Sequence, residues 1–218
     1  MKKIKWQYTL VEILIVIIGI TIAFSMNKCS ESSKDKKLRH QYLTNLMNDV
    51  NADKLNLETN IEELNSKLSD AIEILPYLNS DSTNQMKIVN NVFNIVSLSN
   101  FNPKDVTYQT LINSGDLKLI DNFNLKTAIE AHYSNYKEMS NAYVRQESIV
   151  RDYVGNYLIN HADYDKLPKG KFPFTNEKLL KNIVQSMRGS FILKIDATKK
   201  GIKSCDSLIA TINTALKN

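Results

Sequence analysis

The chain has 218 residues, which suffices for one or two modest domains and excludes a large multidomain enzyme. It contains only 6 Gly and 4 Pro, and because strands need frequent tight turns, this shortage favours long helices over a β-sandwich, a β-barrel or an α/β fold. The formal charge of +5 is mild and the Lys residues are spread along the chain, so nucleic acid is not an expected partner.

The first predicted element is a membrane anchor. A basic flank over residues 1–7 precedes an apolar run from Tyr8 to Met26, in which Glu12 is the single charge. At about 1.5 Å rise per residue, a helix of this run covers roughly 28 Å, enough to span the hydrocarbon core of a bilayer. Because no small-residue cleavage pattern follows the run, we predict an uncleaved single-pass transmembrane helix over residues 8–26.

The orientation of this helix follows less directly from charge, because Lys residues lie on both sides of the apolar run and more of them follow it. A short basic stretch directly before an apolar run is nonetheless typical of a signal anchor, and long downstream domains are translocated largely regardless of their charge. We therefore expect the N-terminus inside and the bulk of the chain outside the bacterial cytoplasmic (inner) membrane. The lipid bilayer is the first predicted partner.

One face of the predicted span carries small and polar residues, namely Glu12, Gly19, Ala23 and Asn27. Gly19 and Ala23 form a small-xxx-small step that lets another helix approach closely. Two interpretations of Glu12 stay open: its carboxylate reaches the membrane interface, or it hydrogen-bonds across a contact with another transmembrane helix. The second interpretation makes this face a candidate transmembrane contact, in a homo-oligomer or in a larger membrane protein complex.

Two sequence patterns carry a family resemblance. The residues from Glu12 to Glu31 read E-I-x-x-V-x-I-G-I-x-I-A-x-x-x-N-x-x-x-E, and those from Tyr108 to Ile120 read Y-x-x-L-x-x-S-G-x-L-x-x-I. In order and spacing they resemble a bacterial family of single-pass membrane proteins whose domain has no known function. The chain departs from the family pattern at Val11, where Gly is usual, and at Cys29, where Trp is usual. The resemblance implies an anchor followed by a long helix, and it implies no activity.

A long helix is predicted after a polar juxtamembrane stretch over residues 27–37. Apolar residues recur there in alternating steps of four and three, which is the a/d pattern of a coiled-coil seam: Leu43, Met47, Val50, Leu57, Ile61, Leu64, Leu68, Ala71 and Leu75. Lys54 interrupts the pattern, and Pro76 ends or kinks the helix near Leu75. We take the part of the seam from Leu57 to Leu75 as a candidate interaction surface, with the residues Leu57, Ile61, Leu64, Leu68 and Leu75.

Two shorter helices are expected next. One covers residues 83–97, with Ser82 as its cap. The other opens with Asn102 as cap and Pro103 as its first residue, and Ser114–Gly115 is typical of a left-handed C-terminal stop.

Two long helices complete the chain, over residues 125–160 and from about Asn176 to the end, separated by a loop over residues 163–174 that contains Pro and Gly. The first has a seam rich in Tyr, with Leu125, Ile129, His132, Tyr136, Met139, Tyr143, Gln146, Val150, Tyr153 and Tyr157. Antiparallel packing of the long helices at about 20° buries these seams most simply. We therefore predict an all-α protein, in which an N-terminal transmembrane helix continues into a long helix and an elongated antiparallel helical bundle occupies residues 38–218.

No constellation typical of catalysis is found in the sequence. It lacks a nucleophile motif, a Gly-rich phosphate loop and carboxylates paired across a cleft. None of His40, His132 and His161 has a second ligand at a metal-binding spacing. We expect no enzyme activity, no cofactor and no metal site.

Two functional hypotheses remain. The first is a non-catalytic, membrane-anchored interaction or scaffold protein of the bacterial envelope, which self-associates or docks on a larger membrane complex through the small-residue face and the seam. The second is an extracytoplasmic ligand-sensing bundle, similar to chemoreceptor sensor domains, which would need a partner protein to pass its state inward. Tyr136 and Tyr143 are the candidate groove for a ligand, because Tyr offers a large area with a polar tip, although Tyr at helical spacing also suits a bundle core. A polar pocket beside these two residues would favour the second hypothesis.

Overall fold

The computed structural model describes residues 6–78 and 85–217. Within these ranges the chain is helical apart from short connections, which confirms the predicted all-α class. The helices are α1 (Trp6–Ile74), α2 (Gln85–Val96), α3 (Val106–Asn113), α4 (Phe123–Ile149), α5 (Gly155–His161) and α6 (Glu177–Lys217). The basic residues 2, 3 and 5 and the expected start of the second helix at Ser82 and Thr83 lie outside the described residues.

The connections are short and partly helical. A 3₁₀ turn, Asp116–Leu119, links α3 to α4, and a π-helical turn, Val150–Val154, joins α4 to α5 without a break. Before α6 the chain forms a second 3₁₀ turn, Tyr164–Lys169, and one isolated antiparallel bridge between Ala162 and Phe174. The described residues contain no β-sheet.

The N-terminal helix α1 is a single helix of 69 residues, so the predicted continuity of the apolar run with the seam is confirmed. Every residue from Leu10 to Lys37 is exposed, whereas the face that begins at Leu43 is buried. Of the helices in the described ranges, α1 alone is long and apolar enough to cross a membrane, and its apolar window is not buried in the bundle. It ends at Ile74, and a turn around Pro76 reverses the chain.

The second half of α1 forms one side of an up-down-up-down bundle. Residues 85–121 run back along α1, as shown by a series of polar contacts that descends from the Lys87–Glu73 pair through the Thr107–Asp49 hydrogen bond to the Arg39–Asp121 pair. The continuous helix of α4 and α5 then runs in the direction of α1, and α6 returns between them, packed along both α1 and α4. Successive long segments are therefore antiparallel, as predicted.

The bundle contains two apolar clusters, one at each end. The cluster nearer the N-terminal half of α1 includes Leu43, Leu57, Leu111, Leu125, Tyr136, Cys205 and Ile212. The cluster at the far end includes Leu64, Ile74, Ile95, Val154, Tyr157, Phe174 and Phe191. Between them lies a set of buried polar side chains, here called the polar layer: Asn60, Lys67, Gln146, Lys194 and Thr198.

The burial pattern of α1 corrects the predicted seam. The positions Leu43, Val50, Leu57, Leu64 and Ala71 are buried as predicted. At the other positions of the four-three pattern, the most buried residues are instead Leu46, Asp53, Asn60, Lys67 and Ile74, each one position before the predicted residue Met47, Ile61, Leu68 or Leu75 or, for Asp53, before the interrupting Lys54. The predicted Ile61, Leu68 and Leu75 are only partly buried at the edge of this face. A prediction from hydropathy chooses the apolar residues at the edge of the buried face, because the residues at the centre of that face are largely polar.

Two further boundaries differ from the sequence predictions. The third helix begins at Val106 and not at Pro103, because residues 97–105 are held along α1 in a non-helical conformation by hydrogen bonds described below. In the Tyr-rich helix, the ladder is buried as predicted through Gln146, but the π-helical turn then shifts the register, so that Tyr153 is exposed and Val154 is buried. The predicted stop at Ser114–Gly115 is confirmed, since Gly115 has a φ of 74°.

Two glycines inside α6 provide a matched test of this packing. A Cβ atom added at Gly201 would lie 2.9 Å from Met139 Sδ and 3.3 Å from Leu57 Cδ1, whereas one added at Gly189 would meet nothing within 4 Å. We expect Gly189→Ala to stabilise the fold by about 0.5–1 kcal/mol, because Ala costs less helix entropy than Gly. Gly201→Val is expected to destabilise the fold by about 1–3 kcal/mol through overpacking.

Urea unfolding of the two variants and the wild type in the same non-ionic detergent measures both changes. A Gly201→Val protein as stable as the wild type would contradict the close packing of α6 on α1 and α4.

Candidate functional site

The segment of residues 97–105, here called the strap, is fixed by three polar side chains of α1. Lys67 Nζ donates to the Ser97 carbonyl at 2.7 Å, and Asn60 Nδ2 donates to the Asn100 carbonyl at 3.0 Å. Asp53 accepts the Lys104 amide hydrogen at 2.9 and 3.1 Å from its two carboxylate oxygens. Asp53, Asn60 and Lys67 are spaced one heptad apart, so Asp53 and Lys67 are separated by two heptads of α1, about 21 Å. Seven extended residues of the strap cover about the same distance. The strap therefore lies antiparallel to α1 in one defined register.

A second lysine binds the strap from the opposite side. Lys194 of α6 is 1% exposed, and its ammonium group donates to the Ser99 carbonyl and to Gln146 Oε1. The same ammonium lies 3.9 Å from the centre of the Tyr143 ring. Gln146 in turn donates to the Ser97 carbonyl at 3.2 Å. The polar layer thus joins α1, α4 and α6 to one stretch of backbone.

The polar layer carries more positive than negative charge. Lys67 and Lys194 are both almost fully buried, and the carboxylate that pairs with Lys67, at 2.9 Å, is the partly exposed Glu63. Burial, together with the smaller effect of the nearby Lys67 charge, lowers the pKa of Lys194 to about 8, and the charges of Glu147 and Glu63 oppose the shift. Hydrogen bonds from Lys67 and Ser99 hold the pKa of Glu63 below its usual value against the effect of its own burial. The ammonium of Lys194 is therefore held in place by hydrogen bonds at a desolvation cost.

A groove opens between the strap with α3 on one side and α4 on the other. It encloses a cavity of about 520 Å³. Its floor is formed by buried side chains of α4, namely Tyr133, Tyr136, Met139 and Tyr143, and its opposite wall by Phe101, Pro103 and Tyr108. We call this the aromatic groove. Tyr136 and Tyr143, which the sequence predicts as a candidate groove, both line this cavity.

The rings of the aromatic groove pack on one another. Tyr108 and Tyr133 are stacked, with centroids 4.0 Å apart and planes 11° apart, and Phe101 meets Tyr136 edge-on at 5.2 Å. Phe101 and Tyr108 were not predicted as groove residues, because they come from the strap and α3, which are distant in sequence from the Tyr row. The sequence signal that could have identified them is the occurrence of aromatic residues near Pro103 in a segment with few other apolar residues.

The hydroxyls of the groove tyrosines are in different environments. Tyr136 bonds to Cys205 Sγ at 3.2 Å and Tyr143 bonds to Thr198 Oγ1 at 2.9 Å. The buried hydroxyl of Tyr133 has no hydrogen-bond partner among the described residues. Burial raises the pKa of all three phenols, and the carboxylates of Asp49 and Asp53 add to the shift of Tyr133. These tyrosines stay neutral at physiological pH.

Two side chains that could take part in acid–base or thiol chemistry, His132 and Cys205, are buried in surroundings that lower their reactivity. Burial lowers the pKa of His132 to about 4, so its imidazole is neutral, and Nδ1 bonds to Ser204 at 2.9 Å. Burial raises the pKa of Cys205 to about 11, which disfavours a reactive thiolate. No group of three metal-ligating side chains occurs among the described residues.

The two predicted contact surfaces differ in exposure. Glu12, Gly19, Ala23 and Asn27 lie on the exposed part of α1, and no other part of the described chain covers them. The seam residues Leu57 and Leu64 are instead fully buried in the two apolar clusters of the bundle, with Ile61, Leu68 and Leu75 at its edge. Self-association through the seam would have to open the bundle, so the small-residue face is the surface that stays available.

The pKa of Lys194 generates a stability prediction. Its native pKa of about 8 lies below the usual lysine value of 10.5, so the unfolded state binds more protons between these two pH values and stability rises with pH there. We expect wild-type stability to rise relative to Lys194→Met by about 1 kcal/mol between about pH 8 and about pH 9. Urea unfolding of both proteins across this range measures the difference.

The Lys194→Met variant is the reference because Cys205 and the tyrosines also titrate at high pH and are common to both proteins. A constant stability difference across the range would contradict the buried ammonium.

Comparison with known proteins places the chain in a family. No curated protein and no solved structure gives a significant match. A family model described as "Family of unknown function (DUF6090)" matches residues 12–147, a range that includes both patterns carrying the resemblance, the strap and most of α4. Because the match covers more than half of the sequence, the chain belongs to this family of unknown function.

Proposed function

We propose that this protein is a membrane-anchored helical interaction protein of the bacterial envelope, without catalytic activity. The observation that carries the proposal is the exposed apolar part of α1. Its large apolar side chains are about half exposed or more: Leu10, Val11, Ile13, Leu14, Ile15, Val16, Ile17, Ile18, Ile20, Ile22, Phe24 and Met26. At about 1.5–3 kcal/mol for each side chain, removing them from water is worth on the order of 20 kcal/mol. A bilayer would supply that environment along the apolar run of α1.

The small-residue face of the anchor supports association within the membrane. Hydrophobic burial drives no helix pairing in lipid, so close packing at small residues takes its place. Gly19 and Ala23 allow that approach, and Glu12 on the same face would gain a hydrogen-bond partner across the contact. We therefore propose that the chain forms a homo-oligomer or docks on a larger membrane protein through this face.

The anchor can be tested with the two cysteines of the chain. Cys29 is exposed directly after the apolar run, whereas Cys205 is buried. We expect the full chain to stay in the membrane pellet after alkaline carbonate extraction. With the bulk of the chain outside the cytoplasmic membrane, a membrane-impermeant maleimide should label Cys29 in intact spheroplasts.

The controls are Cys29→Ser, which should abolish labelling, and Cys205→Ser, which should leave it unchanged. Release by carbonate would overturn the anchor, and labelling only after permeabilisation would reverse the proposed orientation.

The contact face is tested by paired substitutions in the span. Replacing both Gly19 and Ala23 by Leu should reduce crosslinked oligomers or complexes in membranes by severalfold, because the backbones can no longer approach. Thr21→Leu with Ser25→Leu is the matched control, since these residues lie on the opposite face and their hydroxyls bond only to the carbonyls one turn earlier on α1. Equal loss in both pairs, or no loss in either, would count against the face.

A second candidate function is supported by the aromatic groove. A ligand-binding bundle that acts through a partner protein needs a pocket in the exposed domain, and the cavity beside Tyr136 and Tyr143 has a volume within the usual range for small-molecule sites. The groove and the anchor are compatible, because the groove lies on α4 and the strap and leaves the small-residue face of α1 free.

A further inference from the structure

We propose that the aromatic groove binds an organic ammonium cation. The inference names the ligand class of the second candidate function and rests on it. Its basis is the juxtaposition of a ring of aromatic side chains with carboxylates at the rim of the same cavity.

The shape of the groove suits a small organic ligand. The cavity of about 520 Å³ is open to solvent along one side and is closed below by α4. Five aromatic rings line it: Phe101, Tyr108, Tyr133, Tyr136 and Tyr143. The faces of such rings carry negative partial charge, so they attract a cation and also contact the alkyl groups around an ammonium nitrogen.

The charge around the groove has the sign that a cation requires. Asp105, Glu130 and Glu147 line the cavity against a single ammonium group, that of Lys137. None of these three carboxylates forms an ion pair within the described part of the chain, whereas Glu58, Glu63 and Glu73 all do. The whole chain carries a formal charge of +5, so the groove is a local reversal of the overall charge.

Carboxylates beneath the groove act in the same direction. Asp53 is fully buried on α1 under the strap, and Asp49 bonds to Thr107 beside it. Both are close enough to Tyr133 to affect its hydroxyl. An anionic ligand would be repelled by these carboxylates, and the cations that could compensate are Lys137 at the rim and Lys194 on the inner side of the Tyr143 ring. A neutral apolar ligand would leave the rim carboxylates unused. A cation is the ligand class that the rings and the charges favour together.

The chain already contains one contact of the proposed kind. The ammonium of Lys194 lies over the Tyr143 ring, 3.9 Å from its centre, on the inner side of the bundle. The aromatic side chains of α4 therefore tolerate a cation against their faces. The rings of Tyr108 and Tyr133 have no ammonium of the protein over them within the described residues; each covers one face of the other, so a ligand would meet only the parts of these rings that line the cavity.

The test compares two probes of the same shape. The full chain in a non-ionic detergent is titrated with acetylcholine and with neohexyl acetate, in which carbon replaces the quaternary nitrogen, and binding is followed by saturation-transfer NMR. Acetylcholine is expected to bind at least about tenfold more tightly, because only it gains from the rings and the carboxylates. Raising the salt concentration from about 50 to about 500 mM should weaken acetylcholine binding and leave the neutral probe unchanged.

Charge-neutralising variants identify the site. Glu130→Gln with Glu147→Gln should weaken acetylcholine binding by about fivefold or more, since both carboxylates lie at the rim. Glu62→Gln with Glu138→Gln is the matched control, because these residues are exposed and lie outside the groove. Tyr108→Leu removes one stacked ring from the outer wall and should weaken only the charged probe by a similar factor.

Each outcome bears on a distinct statement. Equal affinity for the two probes, or equal loss in the rim and control variants, would overturn the cation site while leaving a ligand-binding groove. Binding of neither probe would overturn the cation site and leave the second candidate function without the ligand class proposed for it. The membrane anchor and its contact face are tested separately, by carbonate extraction, cysteine labelling and crosslinking.

Discussion

The bundle depends on how the strap satisfies its backbone hydrogen bonds. Residues 97–105 lie against the core without forming a helix or a strand, so their carbonyl and amide groups need partners from elsewhere. Asp53, Asn60 and Lys67 supply them from α1 at a spacing that matches an extended chain, and Lys194 supplies one more from α6. An unpaired buried polar group costs about 1–3 kcal/mol, so a slip of the strap along α1 would break several such contacts at once. This match fixes the position of Phe101, and with it one wall of the aromatic groove.

The same contacts explain why charged residues occupy the middle of the bundle. Burying an ammonium group costs several kcal/mol that hydrogen bonds offset only in part, and an apolar core would be at least as stable. An apolar core, however, would not distinguish one heptad of α1 from the next, since the apolar positions repeat with that period. Buried polar residues are known to specify register in coiled coils, and the polar layer sits where such a choice is needed, between two apolar clusters. We infer that the polar layer lowers the stability of the bundle but favours a single arrangement of the strap, α4 and α6.

The fold was predictable where hydropathy alone determines burial. The periods of α1, α4 and α6 follow from apolar residues that face one another, and so do the class and the antiparallel order. Prediction failed where polar side chains are buried: the alternating seam of α1 was placed one residue late because Asp53, Asn60 and Lys67 do not look like core positions. Pro103 predicts a helix start from local sequence rules. These rules take no account of the distant Asp53 carboxylate, which holds Lys104 in an extended segment. The tyrosines of α4 that form the floor of the groove could be predicted from their regular spacing in the sequence. The wall formed by the strap could not, because it depends on contacts between distant parts of the chain.

The geometry of α1 limits how the groove and the anchor can be coupled. Between Ile20 and Ile74 the helix contains no Gly and no Pro, and it is continuous over that range, so it has no hinge. Asp53, which holds the strap, lies about 40 Å along the helix from Met26 at the end of the apolar run. A change in the strap can therefore reach the span only as a tilt, rotation or displacement of the whole helix, because local bending would break its hydrogen bonds. If the groove binds a ligand and the span contacts a second membrane protein, as proposed, such a motion would move the small-residue face relative to the neighbouring helix, and the contact at Gly19 and Ala23 would carry the coupling.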